Sequence, residues 1–152
     1  VHMVVTTVDD DLLARVVEDG VAWVPTLELW HCVGNLTQVT KNLQSFSQAG
    51  GQIALGTDYL GAECDWDLGM PMTEIELMLD AEMTPMQVIT AATQNAAHVC
   101  GLGDELGTLE VGRIADILVV GGDPLEDIQA LTDVRLVVHN GAVIRDEFAA
   151  TE

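Results

Sequence analysis

Basic residues are scarce in this chain of 152 residues, which has 5 lysine and arginine residues against 25 aspartate and glutamate residues. Lys41 is the single lysine, and the formal net charge is −20. A surface of this charge repels phosphate groups, which argues against nucleic acid and anionic membranes as partners. The acidic residues are spread along the chain rather than gathered in a tail. They indicate either a solvated acidic face or adaptation to high salt, where self-repulsion is screened.

Other absences narrow the class of protein. No apolar run reaches the roughly 18 residues that a membrane-spanning helix needs. Residues 1–5 contain no lysine or arginine and do not have the layout of a signal peptide. Cys32, Cys64 and Cys100 are widely spaced and form no CxxC motif. This pattern predicts reduced, mostly buried thiols and a cytoplasmic protein rather than a disulfide framework.

Helix and strand patterns alternate in the first part of the chain, which predicts parallel strands with crossover helices. The predicted order is a helix from Asp9 to Gly20, a buried strand Val21–Leu27, a helix Thr37–Gln48 and a strand Ile53–Thr57. Asp9 and the two acidic residues after it favour a helix start, because carboxylates stabilise the positive end of the helix dipole.

Two further helices and a β-rich tail are predicted after a long acidic loop at 59–72. Thr73 and Glu76 have the spacing of a capping box, and so do Thr84 and Gln87. The first helix is expected to end near residue 82 and the second near residue 100. A strand and turn are predicted at 107–112, and strands at 115–120, 136–139 and 142–145. Asn140-Gly141 is a strong signal for a tight hairpin between the last two.

Asp58 is the most informative residue for function. It closes the apolar run Gln52–Thr57, and in β/α folds the carboxyl end of a strand is where catalytic groups are placed. A carboxylate there can bind a metal or accept a proton from water. An aspartate in an ordinary turn after a strand is the alternative that this motif alone leaves open.

Four stretches together carry a resemblance to a known family: GGQIALGTD, TPMQVITAATQNAAHVCGL, GTLEVGRIADILVVGGDPLEDI and VRLVVHNGAVI. In this order and spacing, residues 50–146 resemble the C-terminal part of the amidohydrolase superfamily of metal-dependent hydrolases. The closest branch looks like the imidazolonepropionase-like and Xaa-Pro dipeptidase-like members.

The resemblance implies an α/β fold. Residues 1–104 would form the C-terminal strands and helices of a (β/α)8 TIM-like barrel, and residues 105–152 would form strands of a small β-sandwich. Asp58 would be the catalytic general base and a metal ligand, and His2 a second metal ligand. For His2, a strand histidine that binds no metal is the open alternative. Tyr59 and His31 are candidate substrate-binding residues.

The family's usual set of metal ligands is incomplete in this sequence. A complete barrel of this type takes about 250 residues, and no His-x-His pair occurs among these 152. The resemblance therefore implies a C-terminal segment that is inactive alone and needs the upstream part of the enzyme or another subunit, so we expect an oligomer. The expected cofactor is a divalent metal, most plausibly one or two zinc ions, with ligands outside this chain.

Two functions remain open at this point. The first is hydrolysis of C–N bonds in small amides, cyclic amides or dipeptide-like substrates. The second is a non-catalytic acidic association module without a complete metal site.

Salt dependence distinguishes the two explanations of the acidity. If self-repulsion limits stability, raising KCl from 0.1 to 2 M raises the melting temperature, because screening shortens the Debye length from about 10 Å at 0.1 M to about 3 Å at 1 M. Thermal unfolding followed by circular dichroism measures this. A melting temperature that is independent of salt would contradict adaptation to high salt.

Overall fold

The computed structural model describes residues 4–58 and 69–149. Six α-helices precede a three-stranded sheet within these ranges. The helices are α1 Asp10–Glu18, α2 Leu27–Val33, α3 Leu36–Gln48, α4 Met72–Asp80, α5 Pro85–Ala92 and α6 Gln94–Val99. The strands are β1 Ile117–Val120, β2 Val134–His139 and β3 Ala142–Asp146, with a 3-10 helix Ile128–Thr132 between β1 and β2.

The predicted first helix is confirmed. The side chain of Asp9 accepts a hydrogen bond of 2.8 Å from the backbone N–H of Leu12, which caps α1. The helix ends at Glu18, and Gly20 follows with a φ of 64°, a left-handed conformation that glycine adopts without strain.

The predicted parallel strands are present as short extended segments. Trp23 and Ile53 form an isolated parallel bridge. The strand expected at Val21–Leu27 is wrong at its carboxyl end, because Thr26 turns the chain and the unpredicted helix α2 begins at Leu27. The helix expected at Thr37–Gln48 is confirmed by α3.

One of the two predicted capping boxes forms. Thr84 accepts from the backbone of Gln87, and the side chain of Gln87 accepts from the backbone N–H of Thr84 at 2.7 Å. The box at Thr73 is wrong, because α4 begins one residue earlier, at Met72, and its N-cap Pro71 makes no side-chain cap bond.

The helix expected to run to residue 100 is divided at Thr93. Its ψ of −87° separates α5 from α6, and its hydroxyl donates to the carbonyl of Ile89 at 2.7 Å. Such bonding back to the previous turn bends helices. The side chain of Asn95, just after the break, donates to the carbonyl of Ile53 at 2.8 Å and so ties α6 to the second extended segment.

The tail is an antiparallel sheet in the order β1-β2-β3. The hairpin at Asn140-Gly141 is confirmed: both residues have positive φ values, 48° and 77°, as a type I′ turn requires. Of the strand and turn expected at 107–112, the turn forms at 111–112, whereas the strand is wrong because 107–110 is irregular backbone. The 3-10 helix was not predicted.

The core lies among the helices rather than in the sheet. Trp23 and Phe46 stack with ring centroids 3.9 Å apart and an interplanar angle of 21°. The buried apolar residues around them come from α1 to α5 and the two extended segments, among them Leu27, Val39, Leu43, Ile53, Ile75, Met78 and Val88. In contrast, every residue of β3 is exposed.

The cysteines differ from expectation. Cys32 takes part in a disulfide bond, and Cys100 is a free, exposed thiol. The prediction of reduced, mostly buried thiols is therefore wrong at Cys32, whereas Cys100 is reduced as predicted but exposed rather than buried. Cys64 lies outside the described residues.

In the ranges 4–58 and 69–149, no helix is both long enough and apolar enough to cross a membrane.

The two phenylalanines provide a matched test of the core. Phe46 is fully buried, whereas Phe148 is 61% exposed. We expect Phe46→Ala to lower the free energy of unfolding by about 3–5 kcal/mol, because it leaves a cavity beside Trp23. Phe148→Ala should change it by less than about 0.5 kcal/mol. Urea denaturation measures both, and equal costs for the two variants would contradict this location of the core.

Candidate functional site

Two extended segments lie side by side and define one edge of the candidate site. The N–H of Trp23 donates to the carbonyl of Gln52 at 2.9 Å, and the N–H of Ala54 donates to the carbonyl of Trp23 at 2.9 Å. Because the two segments are parallel, their carboxyl ends point in the same direction. Thr26 and Asp58 follow these ends.

Asp58 is exposed at the end of the second segment and has a φ of 47°. Aspartate tolerates this left-handed conformation better than most residues. Two residues earlier, Gly56 lies so close to the first segment that an added Cβ would come within 2.6 Å of Cγ1 of Val24. The close approach requires glycine and fixes where the chain leaves the segment pair towards Asp58.

Thr26 also has a left-handed backbone, with φ 51° and ψ 43°. For a β-branched residue this is a strained conformation that costs about 1–3 kcal/mol. Two backbone hydrogen bonds hold it: its N–H donates to the carbonyl of Gly56 at 3.1 Å, and its carbonyl accepts from the N–H of Trp30 at 3.3 Å. The turn therefore joins the end of the first segment to the start of α2 and to the second segment.

Glu74, on α4, provides the cap that Thr26 does not. Its side chain is fully buried, and its two carboxylate oxygens accept from the N–H groups of Leu27 at 2.9 Å and Glu28 at 2.7 Å. These are among the N–H groups of a first helical turn that have no partner within the helix. A carboxylate at this position is also favoured by the helix dipole.

Burial raises the pKa of the Glu74 carboxyl to about 7, since the charged form is poorly solvated there. The two backbone hydrogen bonds act in the opposite direction, and the nearby carboxylate of Glu28 adds to the rise. The pKa of Glu28 is itself raised by partial burial, an effect that His31 partly offsets.

His31 lies in the last turn of α2 and is exposed. It is a helical residue near Glu28, and its role in substrate binding stays a prediction. His2 and Tyr59 lie outside the described residues, so the roles proposed for them also stay predictions.

In the part of the chain that the structure describes, no three or more His, Cys, Asp or Glu residues come together in a way that could hold a metal ion. The carboxylate of Asp58 is a suitable oxygen donor for a divalent metal, but catalytic zinc takes about three protein ligands. The described residues thus fit one ligand of such a site and not a complete one.

Sequence reasoning missed Glu74. Its neighbours on α4 give a usable signal, because Ile75 and Met78 are buried and Glu74 is an acid at helical spacing within that apolar face. An acid on the core side of a helix requires a partner in the fold. That partner, the first turn of α2, lies 46 and 47 positions earlier in the sequence.

Comparison with known proteins identifies the class. The model of the amidohydrolase family matches residues 1–144. An imidazolonepropionase from Symbiobacterium thermophilum is 29% identical over 141 residues, which cover 91% of this chain and 32% of that protein.

Two solved structures resemble the fold. A Xaa-Pro dipeptidase with methionine bound in its active site has a TM-score of 0.77 at 26% identity, covering 90% of this chain and 37% of that one. The ochratoxinase of Aspergillus niger has a TM-score of 0.78 at 26% identity, covering 91% of this chain and 35% of that one.

The chain belongs to the amidohydrolase family. It spans about a third of the imidazolonepropionase that it matches. Its helices and three-stranded sheet are consistent with part of the larger fold of these relatives.

The raised pKa of Glu74 predicts a pH dependence of stability that Glu74→Gln removes. The pKa of Glu74 in the folded state is about 7, against an ordinary value of 4.5, so the folded state binds the proton more tightly than the unfolded state. Its contribution to stability is full below pH 4.5 and is lost as the pH rises through 7.

The free energy of unfolding of the wild type minus that of Glu74→Gln should therefore fall by about 3 kcal/mol between pH 4.5 and pH 8. Urea denaturation across this range measures the difference. Glu76→Gln is the matched control, because it removes a charge from the exposed face of the same helix and keeps an acceptor oxygen for the hydrogen bond from Gln129. If the difference in the free energy of unfolding between the wild type and Glu74→Gln does not change with pH, the raised pKa of Glu74 is contradicted.

Proposed function

We propose that this chain is the C-terminal segment of a metal-dependent amidohydrolase that hydrolyses C–N bonds in small amides, cyclic amides or dipeptide-like substrates. The observation that carries the proposal is the place of Asp58 in a chain of this family. It is an exposed carboxylate at the shared carboxyl edge of two parallel segments. Catalytic residues of β/α barrels lie at that edge.

Asp58 has two roles in this proposal. It supplies one oxygen ligand to a divalent metal, and as general base it takes the proton from the attacking water. It then passes that proton to the leaving nitrogen. The metal, when bound, lowers the pKa of water to about 7 and so provides a nucleophile at neutral pH. Zinc, as one or two ions, is the proposed metal.

The remaining ligands come from outside the described residues. His2 is the proposed second ligand, and Tyr59 and His31 are the proposed substrate contacts. We assign the other ligands to the upstream part of the protein or to another subunit.

We further propose that residues 1–104 belong to the barrel and residues 105–152 to a β-sandwich. The distribution of burial supports the division. The buried core lies between Leu13 and Ala97, whereas Val143 and Ile144 of β3 are 57% and 65% exposed. Apolar side chains on an exposed edge strand are stable when another segment covers them, and we assign that cover to the upstream segment or a further subunit.

A second candidate function is a non-catalytic association module. It is favoured by the exposed apolar side chains of Val143 and Ile144, which a partner chain would cover. The two functions differ in what they require of Asp58, since an association module does not need its carboxylate.

Asp58→Asn tests the proposal in the whole protein, meaning this chain with whatever upstream segment it has. We expect kcat for hydrolysis of the dipeptide Met-Pro to fall about 100-fold or more, because the amide does not accept the proton. The circular dichroism spectrum and the melting temperature should stay close to those of the wild type, since Asp58 is exposed.

Asp80→Asn, which makes the same change at the exposed end of α4, is the control and should retain activity. Elemental analysis of the purified proteins gives the metal content. Stoichiometric metal in the wild type supports the hydrolase. A protein without metal, in which Asp58→Asn changes nothing, would establish the association module instead.

A further inference from the structure

We propose that Glu74 is a positioning residue, whose buried carboxylate holds the first turn of α2 and, through Thr26, the strand end that carries Asp58. This inference rests on the proposed function, because the positioned group is the proposed general base. Nothing in the comparisons assigns a role to Glu74. Three contacts in series support the assignment.

The first contact joins α4 to α2. Thr26, the N-cap residue of α2, makes no side-chain cap bond, and Glu74 takes over that function for the N–H groups of Leu27 and Glu28. Both carboxylate oxygens are used. A glutamine in this place has one acceptor oxygen, and its NH2 group would face one of the two backbone N–H groups. Glu74→Gln therefore removes one bond and introduces a donor opposite a donor.

The second contact is the turn at Thr26. A β-branched residue keeps a left-handed backbone when the surrounding structure determines it, and such strain is concentrated at functional sites. Glu74 fixes the residues that follow Thr26, and the carbonyl of Gly56 fixes the N–H of Thr26. Loosening the first turn of α2 lets Thr26 relax and withdraws its N–H from Gly56.

The third contact leads to Asp58. The second segment is held at Leu55, whose N–H donates to the carbonyl of Ala91 at 3.0 Å. Between Leu55 and Asp58, the described backbone hydrogen bonds include one more anchor: the N–H of Thr26 donates to the carbonyl of Gly56. Through this hydrogen bond, Thr26 contributes to the position of the stretch from Gly56 to Asp58.

Amide hydrogen exchange followed by NMR tests this series directly and needs no substrate. In Glu74→Gln we expect the amides of Leu27 and Glu28 to exchange roughly 10-fold faster, as the lost cap predicts. The amide of Thr26, which reports the bond to Gly56, should accelerate with them. The amide of Ala54 and the amides of the β2–β3 hairpin should keep their wild-type rates.

Glu76→Gln is the matched control and should leave all these rates unchanged. Two results would overturn the proposal. Faster exchange at Leu27 and Glu28 with an unchanged Thr26 means that the cap does not reach the strand end. Faster exchange everywhere, including the hairpin, means that Glu74 contributes to global stability alone. If Glu74→Gln does not fold, Glu74→Asp, which keeps the charge on a shorter side chain, carries the same measurement.

Kinetics of the whole protein separate this inference from the proposed function. With Met-Pro as the probe, Glu74→Gln should lower kcat per bound metal ion on the order of 10–100-fold, since small displacements of a catalytic group have effects of this size. KM should stay at its wild-type value, and dividing kcat by the measured metal content corrects for any metal lost when the ligand Asp58 is displaced. If Asp58→Asn abolishes turnover and Glu74→Gln does not change kcat, the positioning role is wrong and the hydrolase stands. If Asp58→Asn keeps full activity, the hydrolase mechanism is wrong, whatever the exchange rates show.

Discussion

The buried carboxylate of Glu74 is the contact on which the geometry of the candidate site depends. It is an acid on the core side of α4, and it is stable there because it satisfies two N–H groups at the start of α2. Burial of an acid without such partners costs several kcal/mol. The same two bonds fix the helix that follows the strained turn at Thr26, and that turn contacts the segment leading to Asp58. One buried polar group thus connects three parts of the chain that are far apart in sequence.

Packing in the core also holds the two extended segments in place. Trp23, at the start of the first extended segment, stacks on Phe46 of α3, and Asn95 of α6 binds the carbonyl of Ile53 in the second segment. Each short segment is therefore held by a helix as well as by its neighbour. This explains how a single parallel bridge keeps the two carboxyl ends together, although an isolated pair of short strands is marginally stable in water.

The proposed hydrolase agrees with the distribution of buried and exposed surface. The helices enclose a core, whereas the sheet β1-β2-β3 leaves β3 exposed along its whole length. A chain that spans about a third of its imidazolonepropionase relative is expected to leave such surface for the rest of the fold. The proposed metal site also requires residues beyond the described part of the chain, because Asp58 supplies one suitable ligand and the others are assigned elsewhere.

Local patterns in the sequence were sufficient to predict the family, the position of Asp58 after an apolar run and the elements with strong local signals. The cap at Asp9, the capping box of Thr84 and Gln87 and the hairpin at Asn140-Gly141 were all predictable, because their hydrogen bonds join residues at most three positions apart. Tertiary structure decided the rest. Helix α2 replaced the end of a predicted strand, the helix at Thr93 was divided, and Glu74 became the cap of α2. The role of Glu74 depends on a contact across tens of residues, and a local pattern does not identify the partner in such a contact. The break at Thr93 accompanies a local bond to Ile89, but the contact from Asn95 to Ile53, which holds α6 after the break, joins residues 42 positions apart.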